Sequence, residues 1–191
     1  MVTVTKEHKK KWGSQFSDRD NSFDDDEDIK FFIQHTTTDR GLQSLILRNL
    51  PERGNYEWVG KPDNKYGIDL ALVDKDTREK ILLVDLERWG EWGSAKNNYD
   101  WPFYYRFLHF LGRKDHFLDD KEPFMMVFLS RNRDKLIVVE QETIKKYRTI
   151  SKYFKGKGVW DNVKEMRMSD GFIFGKNLTP RELDNMSVYE E

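Results

Sequence analysis

The chain has 191 residues, 37% of them hydrophobic and 35% charged, with no cysteine and a formal net charge of −1. That length buries one hydrophobic core without disulfide or metal staples, so a single domain with extra arms is expected, and the lack of cysteine excludes disulfides, thiolate metal sites and cysteine nucleophiles. No apolar run approaches the roughly eighteen residues of a membrane span, and MVTVTKEHKKKWG lacks the apolar centre of a secretory signal, so a soluble intracellular protein with no membrane partner is expected.

Residues 1–28 are polar and end in the acidic block DDDED at 24–28; they read as an N-terminal arm ahead of one domain spanning 29–191. IKFFIQHTT, 29–37, is too short for its periodicity to choose between a strand and the start of a helix. Asp39 offers an N-cap, and GLQSLILRNL sets Leu42, Leu45, Ile46 and Leu50 at helical spacing before Pro51 and Gly54 end the run. YEWVG, 56–60, predicts a short strand and KPDNKYG a turn.

IDLALVD (68–74) and KILLVDLERW (80–89), separated by KDTRE, predict an antiparallel hairpin. Period-two counting places Asp69, Ala71 and Val73 on one face of the first strand and Ile81, Leu83, Asp85 and Glu87 on one face of the second. WGEWGSAKNNYDWPF, 89–103, is a Gly-, Asn- and Trp-rich loop too long for a mere connector. YYRFLHFLGRK, 104–114, fits a helix or a strand with a basic end. FMMVFLS (124–130) and KLIVVE (135–140) predict buried strands joined by an RNRD turn. QETIKKYRTISKYF, 141–154, predicts an amphipathic helix with Ile144, Tyr147, Ile150 and Phe154 on one side, whereas MRMSDGFIFG and the tail after Pro180 give no clear pattern.

The hairpin is what carries chemistry, because it brings three carboxylates to one strand end. Asp69 and Asp85 suit a hard divalent cation, magnesium or manganese, with the main-chain carbonyl of Leu86 as a further oxygen ligand. Glu87 beside them would position or deprotonate an attacking water. These residues, GIDLALVD followed by KILLVDLER, resemble the PD-(D/E)XK nuclease superfamily: an acid opening one strand, an apolar run, then acid-x-(Lys or acid) in the next.

The resemblance implies an α/β fold with a restriction-endonuclease-like mixed β-sheet core flanked by helices. It also implies metal-dependent endonuclease cleavage of DNA phosphodiesters, with Asp69 and Asp85 binding magnesium. Glu87 takes the place of the family's usual Lys; some restriction endonucleases are similar in carrying Glu there. Pro62-Asp63 looks like the family's PD pair, but Asp63 lies six residues ahead of Asp69 and away from the strand end. The first helix offers Gln43 where the family often has an acid, with Asp39 only at its cap.

Arg88 and Lys96 are candidates for phosphate contacts, against a plain reading as surface charge. Between Arg131 and Arg167 eleven Lys or Arg face five acids, so Lys145, Lys146 and Lys152 are candidates for a DNA-facing surface, although a solvated face is the commoner meaning of such a strip. Trp89, Trp92, Trp101 and Phe103 either stack on bases or staple the loop to the core. His109 reads as an aromatic-cluster residue rather than a zinc ligand.

The alternative is a catalytically inactive version of the fold, serving nucleic-acid binding or assembly. A homodimer is compatible with either. The Cys-free, Lys-, Asn- and Trp-rich composition resembles that of phage-encoded proteins, which would place the chain in a host cytoplasm.

Overall fold

In the computed structural model, residues 22–63, 67–89, 107–130, 133, 135–155 and 158–175 are described. Residues 1–21, most of the Trp-rich loop with Trp92, Lys96, Trp101 and Phe103, and the tail after Pro180 lie outside them. The most apolar runs of the sequence form the middle of a six-stranded sheet. In chain order its strands are β1 (Tyr56–Gly60), β2 (Leu70–Asp74), β3 (Lys80–Trp89), β5 (Phe124–Ser130), β6 (Leu136–Glu140) and β9 (Phe172–Phe174), and they lie side by side in that order. The β2–β3 hairpin forms as predicted, with Leu70 opposite Val84 and Ala71 opposite Leu83. β3 and β5 run parallel, from Leu83 beside Phe124 to Trp89 beside Ser130, and every residue of β5 is buried, as befits a strand covered on both faces. β5 and β6 make the predicted hairpin.

Each sheet face has its own cover. Leu70, Leu72, Leu82, Val84, Val127 and Leu129 pack under two helices, α1 (Ser22–Thr38) and α2 (Arg40–Leu47), through Ile29, Phe32, Leu42, Leu45 and Ile46. Ala71, Val73, Leu83, Met126, Phe128 and Val139 pack instead against a second sheet of three antiparallel strands, β4 (Phe107–Leu111), β8 (Val159–Arg167) and β7 (Ile150–Phe154), and against a 3-10 stretch, Gly112–Asp119. The fold is therefore mixed α/β, but the two long-face covers differ: helices lie on one side and a small sheet on the other.

Two open alternatives resolve and one expectation changes. Of the strand and helix readings of 29–37 the helix forms, as part of α1, which begins at Ser22 and runs across the expected boundary at residue 28. Asp28 is buried there and pairs with Arg133 Nε at 2.5 Å, while His35 Nε2 donates to the Arg133 carbonyl at 3.1 Å. Those contacts hold Arg133 at φ 62, a left-handed conformation uncommon for a non-glycine residue, in the β5–β6 turn.

The segment 141–154 is not one helix. A five-residue helix, α3 (Gln141–Lys145), ends where the Lys146 N–H donates to the Thr143 carbonyl and the Tyr147 N–H to the Ile144 carbonyl, and the chain continues into β7. The apolar spacing of Ile150 and Phe154 serves a strand, in which half-buried Ile150, Lys152 and Phe154 alternate with exposed Ser151 and Tyr153 and all five pair with β8. Of the helix and strand readings of 104–114, residues 107–111 form strand β4.

The predicted cap of α2 is present: Asp39 Oδ1 accepts from the Leu42 N–H at 3.1 Å, satisfying one of the helix's unpaired donors.

Candidate active site

Strand alternation fixes which side chains share the site. Asp85 and Glu87 follow Leu83 on the face that meets the small sheet and the 3-10 stretch, and the stretch delivers a residue the sequence did not single out, Lys114. Its ammonium donates to Asp85 Oδ2 at 2.5 Å and lies 3.4 Å from Glu87 Oε2. The Asp85 side chain is 6% exposed and that of Lys114 16%, so this is a nearly buried ion pair; Glu87, at 32%, opens toward solvent.

Asp69 sits just ahead of β2, opposite the end of β3. Its Oδ2 accepts from the Leu86 N–H at 2.8 Å, so Leu86 enters the site through its backbone donor and ties Asp69 to the strand that carries Asp85 and Glu87.

The electrostatics follow from that packing. Burial by itself pulls the Lys114 pKa down, but the charges of Asp85 and Glu87, the hydrogen bond to Asp85 and the charge of Asp69 outweigh it and hold the ammonium well above the usual lysine range. A buried carboxylate left alone costs several kcal/mol, so Lys114 is the reason Asp85 can end a core strand.

Three features place Lys114. Phe117 and Leu118 are buried, Phe117 stacking on Phe124 with centroids 5.8 Å apart. Gln141 Nε2 donates to the Leu118 carbonyl at 2.8 Å. Gly112 lies so close to β8 that a Cβ there would stand 2.9 Å from Asn162 Cβ.

The remaining predicted residues divide. Arg88 follows Val84 and Leu86 by alternation and so leaves on the helix-covered face, away from Glu87. Gln43 and Asp39 belong to α2 on that same far side and add no acid to the cluster. Asp63 pairs with Lys80, at the opposite end of β3 from Glu87. Trp89 packs edge-on against Phe128 at 5.2 Å, which is the stapling role. Lys145 is exposed and lies 3.5 Å from Glu142, and Lys146 is exposed beside it.

Lys152 belongs to a second polar group on β7, β8 and β4. It pairs with Glu165 and lies 3.4 Å from His109 Nε2, which is itself 3.5 Å from Glu165 Oε1 and edge-on to Phe154. Burial first, and then the charge of Lys152, depress the His109 pKa; Glu165 and Glu87 oppose them without prevailing. Glu87 thus acts electrostatically on both groups.

Among the described residues no three His, Cys, Asp or Glu side chains converge tightly enough to enclose an ion; Asp85 and Glu87 converge on Lys114. Magnesium nonetheless asks for only one or two carboxylates and completes its shell with water and substrate oxygens. Asp69, Asp85, Glu87 and Lys114 together carry a formal charge of −2, so hard oxygen donors and uncompensated negative charge both suit a divalent cation. A signal for Lys114 existed in the sequence: GRKDH places a cation directly after a predicted apolar element, but its approach to Asp85 depends on the pairing of β4 with β8. Comparison with family models, with curated proteins and with solved structures finds no significant match.

Proposed function

We propose that the chain is a metal-dependent endonuclease of restriction-endonuclease-like type that hydrolyses DNA phosphodiesters. The observation that supports this most is the buried Lys114 held against Asp85 and Glu87. In the resemblance, a lysine beside paired acids is the expected companion of phosphodiester cleavage, and the motif position that should supply it holds Glu87; Lys114 brings the missing charge from another element.

Asp69 and Asp85, with Glu87 alongside, are the residues that would hold magnesium. A bound magnesium would supply Lewis-acid polarisation of a phosphoryl oxygen and a lowered pKa for the attacking water. Glu87, more exposed than Asp85 and 3.4 Å from the Lys114 ammonium, would orient that water and accept its proton. The Lys114 ammonium, fixed as a cation, would offer hydrogen bonds and charge to the non-bridging oxygens as negative charge builds on them. Leu86 N–H keeps the Asp69 carboxylate aligned with the end of β3.

A second reading draws on the same ion pair. Lys114 already satisfies Asp85, as it would in a catalytically silent fold that binds nucleic acid or a protein partner. Cleavage of a mixed DNA substrate set in magnesium or manganese, by the wild type and by Glu87→Gln, separates the two: turnover lost in the variant supports the nuclease, and salt-dependent binding without turnover in the wild type supports the silent fold.

A further inference from the structure

On the β7–β8 hairpin, two large aromatic side chains are left in solvent. Tyr153 and Trp160 are cross-strand partners, with ring centroids 5.5 Å apart and planes at 47°, and they are 45% and 70% exposed. Strand alternation puts them on the sheet face that carries Ser151 on β7 and Asn162 on β8, and that continues into the core through Met166. Two exposed rings side by side on antiparallel strands, followed by small polar residues, are a costly surface unless something flat covers it.

The charge around them specifies the occupant. From Lys145 to Lys155 the chain holds five cations, at 145, 146, 148, 152 and 155, and no acid. Lys146 and Arg148 are exposed in the connection that leads into β7, and Lys155 is exposed in the turn that follows it, two residues beyond Tyr153. Aromatic faces within a cationic track match a ligand that alternates flat π-surfaces with negative charge, which is unpaired nucleic acid. A duplex hides its base faces and would leave Trp160 uncovered.

We propose that Trp160 and Tyr153 form a stacking platform for the bases of a single-stranded nucleic-acid segment, with Lys146, Arg148 and Lys155 tracking its phosphates. This deepens the nuclease reading by assigning a substrate with an unpaired segment, and it rests on that reading for its link to cleavage. Position favours the link: Gly112 packs directly on Asn162, the residue two beyond Trp160 on β8, and the 3-10 stretch that begins at Gly112 carries Lys114.

The test is fluorescence anisotropy with labelled dT15, U15 and a fifteen-base-pair duplex, in EDTA so that no cleavage intervenes, using wild type, Trp160→Ala, Trp160→Phe, Glu87→Gln and a Lys146→Ala/Arg148→Ala/Lys155→Ala triple variant. The expected result is tighter binding of a single strand than of duplex, weakened roughly tenfold or more in Trp160→Ala. Trp160→Phe and Glu87→Gln should retain it, and the triple variant should flatten its salt dependence by about 0.7 per lost phosphate contact. The dT15 and U15 arms tell DNA from RNA.

Equal binding by wild type and Trp160→Ala would overturn the platform, as would a preference for duplex. So would concentration-dependent self-association that Trp160→Ala abolishes while single-strand affinity stays unchanged. Cleavage measured in parallel with magnesium keeps the two proposals apart: turnover without a Trp160 effect sinks only the platform, and a Trp160 effect without turnover sinks only the nuclease.

Discussion

The Lys114 ammonium lies 2.5 Å from Asp85 Oδ2, in a position where neither group has much access to water. Removing one partner leaves the other charged and buried. Lys114→Met is therefore expected to destabilise the protein by about 3–5 kcal/mol, and Asp85→Leu by a similar order, whereas Asp85→Leu combined with Lys114→Met should recover most of the loss. Urea unfolding of the four proteins in a double-mutant cycle measures this. Additive losses would mean that the pair is not coupled.

The same pair sets an alkaline limit. The folded Lys114 pKa is raised above the ~10.4 of an unfolded lysine, so its stabilising contribution is fully present below ~10.4 and is lost as pH rises through the higher folded value. Wild type should lose stability above about pH 10 faster than Asp85→Leu/Lys114→Met does. Thermal melts between pH 8 and roughly pH 11.5 give the comparison.

His109 works in the opposite direction. Its pKa is depressed in the fold, chiefly by burial and then by Lys152, so the unfolded chain takes up a proton first as pH falls through about 6.5. Its contribution is present above that value and lost on acidification toward the folded pKa. His109→Gln should shrink the fall in Tm between about pH 7.5 and pH 5. An unchanged acid limb would show that Glu165 and Glu87 compensate fully.

Gly112 is a steric test of how Lys114 is aimed. Alanine there would push its Cβ against Asn162 Cβ at 2.9 Å and the Asn162 carbonyl oxygen at 3.0 Å, so either β8 or the 3-10 stretch must shift. Gly112→Ala is expected to cost about 1–3 kcal/mol, and to reduce turnover more than an equally destabilising core change such as Val163→Ala. Equal turnover in the two variants would show that Lys114 reaches Asp85 independently of this contact.

Much of the central sheet was legible because its strands state their period locally. LALVD and KILLVDLERW are apolar runs bounded by charged turn residues, FMMVFL is apolar throughout, and Asp39 caps α2 from three residues away. Asp85 and Glu87 on one face with Asp69 near the same strand end followed from counting by two. The stretch 141–154 misled because Ile144, Tyr147, Ile150 and Phe154 satisfy helical spacing while Ile150, Lys152 and Phe154 also satisfy strand spacing, and the partner that decides, β8, lies beyond the window. The partner of Lys114 was hidden for the same reason at longer range. Lys114 lies 29 residues from Asp85 in sequence, and only the packing of Phe117 and Gly112 brings it there. Arg88 is a phosphate candidate by its chemistry alone, and adjacent residues in a strand face opposite ways, so it and Glu87 leave β3 on different faces.

The most direct test of the central claim is cleavage of a mixed DNA substrate set, single-stranded, duplex and branched, in the presence of magnesium or manganese. It compares wild type with Glu87→Gln and Lys114→Met, each shown by circular dichroism to be folded at the assay temperature. The account predicts metal-dependent turnover by the wild type, reduced at least a hundredfold in both variants, on the order expected for losing one general base or one charge-stabilising donor. Absence of turnover in the wild type across that set, or unchanged turnover in folded Glu87→Gln and Lys114→Met, would contradict it and leave Lys114 as the neutralising partner of a buried strand-end acid.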